Sequence, residues 1–89
     1  MRSIRRTTQF KRDVRRLKRR SKDLDKLKRV IELLLSDDAL PERLHDHELT
    51  GQWTGVRDLH IESDWLLLYQ RTDDELVLIR SGAHADLFS

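Results

Sequence analysis

The sequence predicts an α+β fold in which a helical hairpin covers one face of a small, mostly antiparallel, twisted sheet, in the order β-α-α-β-β-β. Three observations carry this. Apolar residues recur at helical spacing from Phe10 to Leu34, and apolar runs of strand length fill Val56 to Ser81. Between them Pro41, Gly51 and Gly55 punctuate a polar stretch. At 89 residues there is room for one modest core, so residues 1–89 read as a single two-layer domain.

Taken in order, Ser3 to Thr7 is compatible with an edge strand around Ile4. Thr8 is a plausible N-cap, after which Phe10, Val14 and Leu17 form one stripe of a helix. The other faces of that helix carry Lys11, Arg12, Arg15, Arg16, Lys18, Arg19 and Arg20. Ser21 to Asp23 offers capping side chains for a second amphipathic helix through Leu24, Leu27, Val30 or Ile31, and Leu34. The short connection favours an antiparallel hairpin. Pro41 restricts Leu40 and cannot donate to a ladder, so residues 36–55 read as a long loop, and loops of that length in small domains are usually functional.

Three strands follow, Val56 to Glu62, Trp65 to Arg71 and Leu76 to Ser81, joined through Ser63-Asp64 and Asp73-Asp74. With two-residue turns, Glu62 faces Trp65 and Thr72 faces Glu75, which sets His60 opposite Leu67 and Leu67 opposite Arg80. Leu59, Ile61, Leu66, Leu68, Val77 and Ile79 then share a wholly apolar face, the expected core beneath the helices. Asp58, His60, Trp65, Leu67, Tyr69, Leu76, Leu78 and Arg80 fall on the exposed face. His60 and Arg80 would stand about 10 Å apart at their backbones, within reach of one phosphate.

Composition narrows the function. With no cysteine, neither a disulfide framework nor a thiolate metal site is available, and a reducing compartment suits the chain. No apolar run approaches the roughly 18 residues of a membrane span, and the N-terminus lacks a secretory apolar core, which points to a soluble, cytoplasmic protein. The net charge is +2, yet residues 1–29 hold 14 Lys/Arg against 3 Asp/Glu, a net of +11, and residues 30–89 hold 4 against 13, a net of −9. Such asymmetry suggests a polyanion-binding face, against the plainer reading of a solvated basic helix.

Four histidines in this length are unusual, and imidazole is the side chain best poised for proton transfer near neutral pH. His45-Asp-His47 alternates two potential metal ligands, but no HExxH motif or cysteine pair accompanies it, so no metal site and no cofactor is expected. Trp65 either packs against Tyr69 or contacts a ligand; Phe88 either anchors in the core or stacks on a base.

His47-Glu-Leu-Thr-Gly51, Trp53-Thr-Gly55, Arg57-Asp-Leu-His60, Asp64 to Tyr69, Arg80-Ser-Gly-Ala-His84 and Asp86-Leu-Phe88 together resemble the YafQ-type toxins of the RelE/ParE superfamily. The resemblance runs through the C-terminal half in nearly continuous register. It implies a RelE-like fold with a short C-terminal strand. It also implies a ribosome-dependent endoribonuclease that cuts mRNA in the ribosomal A site, silenced by a bound antitoxin through which the complex binds DNA.

The family's functional positions carry over onto His47, His60, Asp64, Arg80 and His84 as catalytic residues and onto Trp65 and Phe88 as substrate contacts. The implied reaction is metal-independent attack of an RNA 2′-hydroxyl on its own phosphate. Arg80 would stabilise developing charge and His84 would protonate the leaving oxygen, with His47, His60 and Asp64 competing for the base or its orienting partner. The partners implied are the 70S ribosome and its rRNA, held by the basic hairpin, the mRNA and the antitoxin. Two other readings stay open: a ParE-like inhibitor of DNA gyrase, and a plain RNA-binding module.

Overall fold

The computed structural model describes residues 2–88. In chain order it contains β1 (Ser3–Arg6), α1 (Thr8–Arg19), α2 (Leu24–Leu35), β2 (His47–Glu48), β3 (Arg57–Glu62), β4 (Trp65–Arg71), β5 (Glu75–Gly82) and α3 (His84–Phe88). The five strands lie in the order β1-β5-β4-β3-β2, with β1 parallel to β5 and every other pair antiparallel. Among the described residues no helix is long and apolar enough to cross a membrane.

The chain enters the helical layer through one hydroxyl. Thr7, one residue before the expected cap, accepts the N–H of Phe10 at 3.0 Å and donates to the Ile79 carbonyl at 2.7 Å, so it caps α1 and ties it to β5. A cap of this kind is worth about 1 kcal/mol. Ser21 at φ 60 turns the chain in left-handed geometry, and Asp23 accepts the N–H of Asp25 to start α2. Phe10 and Leu17 from α1 meet Leu27, Val30 and Leu34 from α2 over the sheet. Asp13 is the polar exception, fully buried on the same face of α1.

Two bulges alter the expected register. Both turns form as predicted, with Glu62 opposite Trp65 and the Thr72 N–H donating to the Glu75 carbonyl at 2.9 Å. The ladder then shifts between His60 and Glu62, and again between Leu68 and Tyr69. His60 therefore pairs with Leu66, and Arg80 with Leu68; neither stands opposite Leu67.

The face assignment is corrected with it. The helices cover Leu59, Trp65, Leu67, Tyr69, Leu76 and Leu78, most of which were expected to be exposed. Leu66, Leu68 and Ile79 lie on the other face, in a second cluster with Val56, Leu87, Leu49 and Trp53. The reason is that the polar ends of the aromatics are satisfied internally. Trp65 Nε1 donates to Ser81 Oγ at 3.0 Å, Ser81 Oγ donates to the Leu66 carbonyl, and the Tyr69 hydroxyl donates to Asp46. Each bulge moves the following residues to the opposite face. His60 and Arg80 consequently still take register positions on the face away from the helices, although the Arg80 guanidinium turns back to Asp13 of α1.

The expected C-terminal strand is instead α3. Beyond Gly82 the N–H groups of Ala83 and His84 are taken at 3.0 Å by the carboxylates of Asp86 and Asp64, which withdraws them from a ladder and starts a helical turn.

Candidate active site

His60, half-buried near the end of β3, is the centre of an imidazole cluster. Its ring centroid lies 5.8 Å from His45, 6.4 Å from His47 and 5.8 Å from His84. Three separate segments deliver these rings. His45 closes a short 3-10 turn in left-handed geometry at φ 48, His47 opens β2, and His84 opens α3.

Hydrogen bonds orient two of them. His47 Nδ1 lies 2.8 Å from the His45 carbonyl oxygen, so Nδ1 carries the proton and donates it. His84 Nδ1 lies 2.8 Å from Asp64 Oδ1, the same oxygen that accepts the His84 backbone N–H. Asp64 is held below the usual carboxylate range, chiefly by that side-chain bond. The geometry makes Asp64 the partner of His84, with His84 Nε2 left for a ligand. Among the described residues the His60 side chain makes no hydrogen bond.

Beneath the rings sits Asp58, paired across the ladder with both His47 and Leu68. It was expected on an exposed face but is only 4% exposed, because Leu49 and Trp53 from the loop after β2 pack with Leu87 of α3 on that side of the sheet. Oδ2 lies 3.7 Å from His47 Nε2, and Oδ1 is buried without a partner. Burial holds this carboxyl above its ordinary range, against the opposing pull of His47, His60 and His84.

The loop carrying His45 and His47 is pinned. Asp46 accepts from Arg57 Nη2 at 2.7 Å and Nε at 3.1 Å, and from the Tyr69 hydroxyl. Burial, then the bond to Asp46, pushes the Tyr69 hydroxyl far up, keeping it a donor.

Arg80 is held from the helical layer. Asp13 accepts its Nε at 2.8 Å and Nη2 at 3.1 Å, and also accepts Arg16 Nη2 at 2.8 Å and the Ser81 N–H at 3.1 Å. Four donors compensate one buried carboxylate. The Nη1 side of Arg80 stays uncommitted for an anion.

The other expected contacts divide. Phe88 is 42% exposed, edge-on to Trp53 at 5.9 Å and 6.3 Å from His84, so it extends the row of rings. Trp65, expected to touch substrate, is fully buried beneath the helices with Lys22 Nζ 5.7 Å from its ring centroid. Of the seven basic residues on the first helix and its end, Lys11, Arg12, Arg15, Lys18 and Arg19 are exposed and, among the described residues, unpaired. Arg20 bonds Asp86 at 2.8 Å, and Arg16 is drawn to Asp13 beside Arg80.

His45, Asp58, Asp13 and Trp53 join the site from outside the expected set. The His45-Asp-His47 spacing and the i, i+2 relation of Asp58 to His60 were visible signals; Asp13 offered none. Among the described residues no three His, Asp or Glu are arranged to hold one metal ion.

A family model described as "Bacterial toxin of type II toxin-antitoxin system, YafQ" matches residues 2–89. The chain is 43% identical over 88 residues to the mRNA interferase toxin YafQ of Escherichia coli K12, covering 98% of this chain and 96% of that one. It superposes on the crystal structure of YafQ from E. coli BL21(DE3) with a TM-score of 0.94 at 41% identity, covering all of both chains. The toxin in the E. coli DinJ-YafQ toxin-antitoxin complex matches at a TM-score of 0.92 and 43% identity over 99% of this chain and 98% of that one.

Proposed function

Because the chain belongs to the YafQ family of bacterial type II toxins, we propose that it is an mRNA interferase that cuts mRNA in the A site of the translating ribosome and is neutralised by a cognate antitoxin. The observation that carries the reading is the placement of His60 and His84, 5.8 Å apart at their ring centroids, with Arg80 at a register position on the same face of the sheet and its Nη1 side uncommitted. Two imidazoles at that spacing can flank one phosphate, one removing a proton and the other supplying one.

In the proposed reaction His60 takes the proton of the RNA 2′-hydroxyl. The 2′-oxygen forms a bond to the neighbouring phosphorus while the bond from phosphorus to the 5′-oxygen breaks. His84 gives its Nε2 proton to that oxygen, leaving a cyclic 2′,3′-phosphate and a free 5′-hydroxyl. Asp64 positions His84, Arg80 meets the charge developing on the phosphoryl oxygens, and His47 with Asp58 supports the charge gained by His60. Phe88 and Trp53 hold the downstream nucleotide so that the leaving oxygen stays in line. Every step uses this chain's own groups, so cleavage is expected to proceed in a chelator.

The exposed cations of α1 suit ribosomal RNA, with binding that weakens steeply as salt rises. Ribosome binding indifferent to salt would sink that assignment. The site of action is then the cytoplasm. A gyrase inhibitor is not favoured, since the two E. coli relatives are mRNA interferase toxins and gyrase inhibition does not call on the histidine cluster.

The test is cleavage of an mRNA on translating ribosomes, with the ends mapped, for wild type and Arg80→Ala. Cuts at A-site codons that disappear in the variant support the reading. Intact mRNA on active ribosomes with wild-type protein would overturn it.

A further inference from the structure

On the β2 side of His60, a groove of about 730 Å³ is lined by Arg43, His45, His47, His60 and Ser63, among others. Its volume is that of a small-ligand site. The groove is shaped by fixed parts: the Asp46 bonds to Arg57 and Tyr69 anchor the loop, and the left-handed backbone at His45 sets that ring edge-on to His60. Its charge is cationic. Arg43 is exposed and, among the described residues, makes no ion pair, whereas the acidic lining residue Glu62 is bonded to Lys22 at 3.1 Å and Lys26 at 2.7 Å.

We propose that this groove seats the nucleotide carrying the attacking 2′-hydroxyl, with its base against His45 and the phosphate on its 5′ side paired with Arg43. The direction rests on the functional reading above. If His84 protonates the leaving 5′-oxygen, the Phe88 and Trp53 side receives the nucleotide downstream of the cut, and the upstream nucleotide must lie across His60. Imidazole and guanidinium are the groups that accept an unstacked base and a phosphate there, and a single-stranded RNA is the ligand class.

The experiment is a titration of isotope-labelled protein with a single-stranded RNA trinucleotide bearing 2′-O-methyl groups, which cannot be cleaved. The ring resonances of His45 and His60 and the Arg43 Nε–H are expected to move together, and His45→Ala or Arg43→Ala to weaken binding roughly tenfold. Shifts confined to His84 and Phe88, or none at His45, would overturn the proposal. On ribosomes the same variants are expected to change base preference upstream of the cut and to raise KM more than they lower kcat. Altered preference only downstream would also overturn it. Because the titration needs no cleavage, a wild-type protein that fails to cut mRNA would remove the functional reading while the His45 shift still decides the groove.

Discussion

Asp13 on α1 and Arg80 on β5, 67 residues apart in sequence, are joined by two hydrogen bonds of 2.8 and 3.1 Å. The pair makes the helical layer part of the site, because the guanidinium on the sheet is aimed by a carboxylate from the helix. Asp13→Asn keeps the shape but leaves two guanidinium groups facing a neutral amide. Loss of one partner from a buried pair costs roughly 3 kcal/mol, and activity per folded molecule should fall as well. Urea unfolding and cleavage measured side by side check both; unchanged cleavage in the folded fraction would show that Arg80 needs no such aim.

Asp58 should behave oppositely on removal. Its carboxyl is held above the ordinary range by burial, so the folded state prefers the protonated form, and stability falls as pH rises through the raised value. Asp58→Asn is expected to stabilise the protein at pH 7 and to leave its stability unchanged well below the ordinary carboxylate range, where the acid is protonated in both states. A loss of stability at pH 7 would mean that the imidazoles stabilise the carboxylate more than burial opposes it.

For Asp64 the sign reverses. Its value is depressed by the His84 bond, so the contact stabilises the fold above the ordinary carboxylate range and is lost as pH falls through the lowered value. Carboxyl NMR should find Asp64 titrating below a free aspartate, and His84→Ala should return it toward the ordinary range. Asp64→Asn should lower the rate of cleavage by up to about a hundredfold without unfolding the chain.

Trp65 and Phe88 separate packing from substrate contact. Trp65→Phe loses the bond to Ser81 Oγ and should cost about 1–2 kcal/mol, with cleavage per folded molecule preserved. Phe88→Ala should leave the melting temperature nearly unchanged and reduce cleavage. The reverse pattern would return Trp65 to the substrate surface.

What the sequence conveys of this arrangement depends on scale. The helical stripes from Phe10 to Leu34 and the turns at Ser63-Asp64 and Asp73-Asp74 are local signals, and they form where expected. The covered face of β4 is not legible, because Trp65 to Tyr69 is buried throughout and a strand buried on both sides carries no alternation. Bulges such as those at Ile61 and Ile79 change register without marking it by composition. The histidines and Arg80 were visible as residue types, whereas Asp13 lies in a basic helix and reveals its role only where the helix crosses β5. The C-terminal helix depends on Asp64 and Asp86 capturing two backbone N–H groups, one of them from 20 residues away.

The division of labour between His60 and His84 is best tested with an RNA whose leaving 5′-oxygen is replaced by sulfur, cut in single turnover on the ribosome by His84→Ala and His60→Ala. A thiolate departs without a proton, so the sulfur substrate is expected to restore cleavage by His84→Ala and not by His60→Ala. Equal rescue of both, or rescue of His60→Ala alone, would be incompatible with that division.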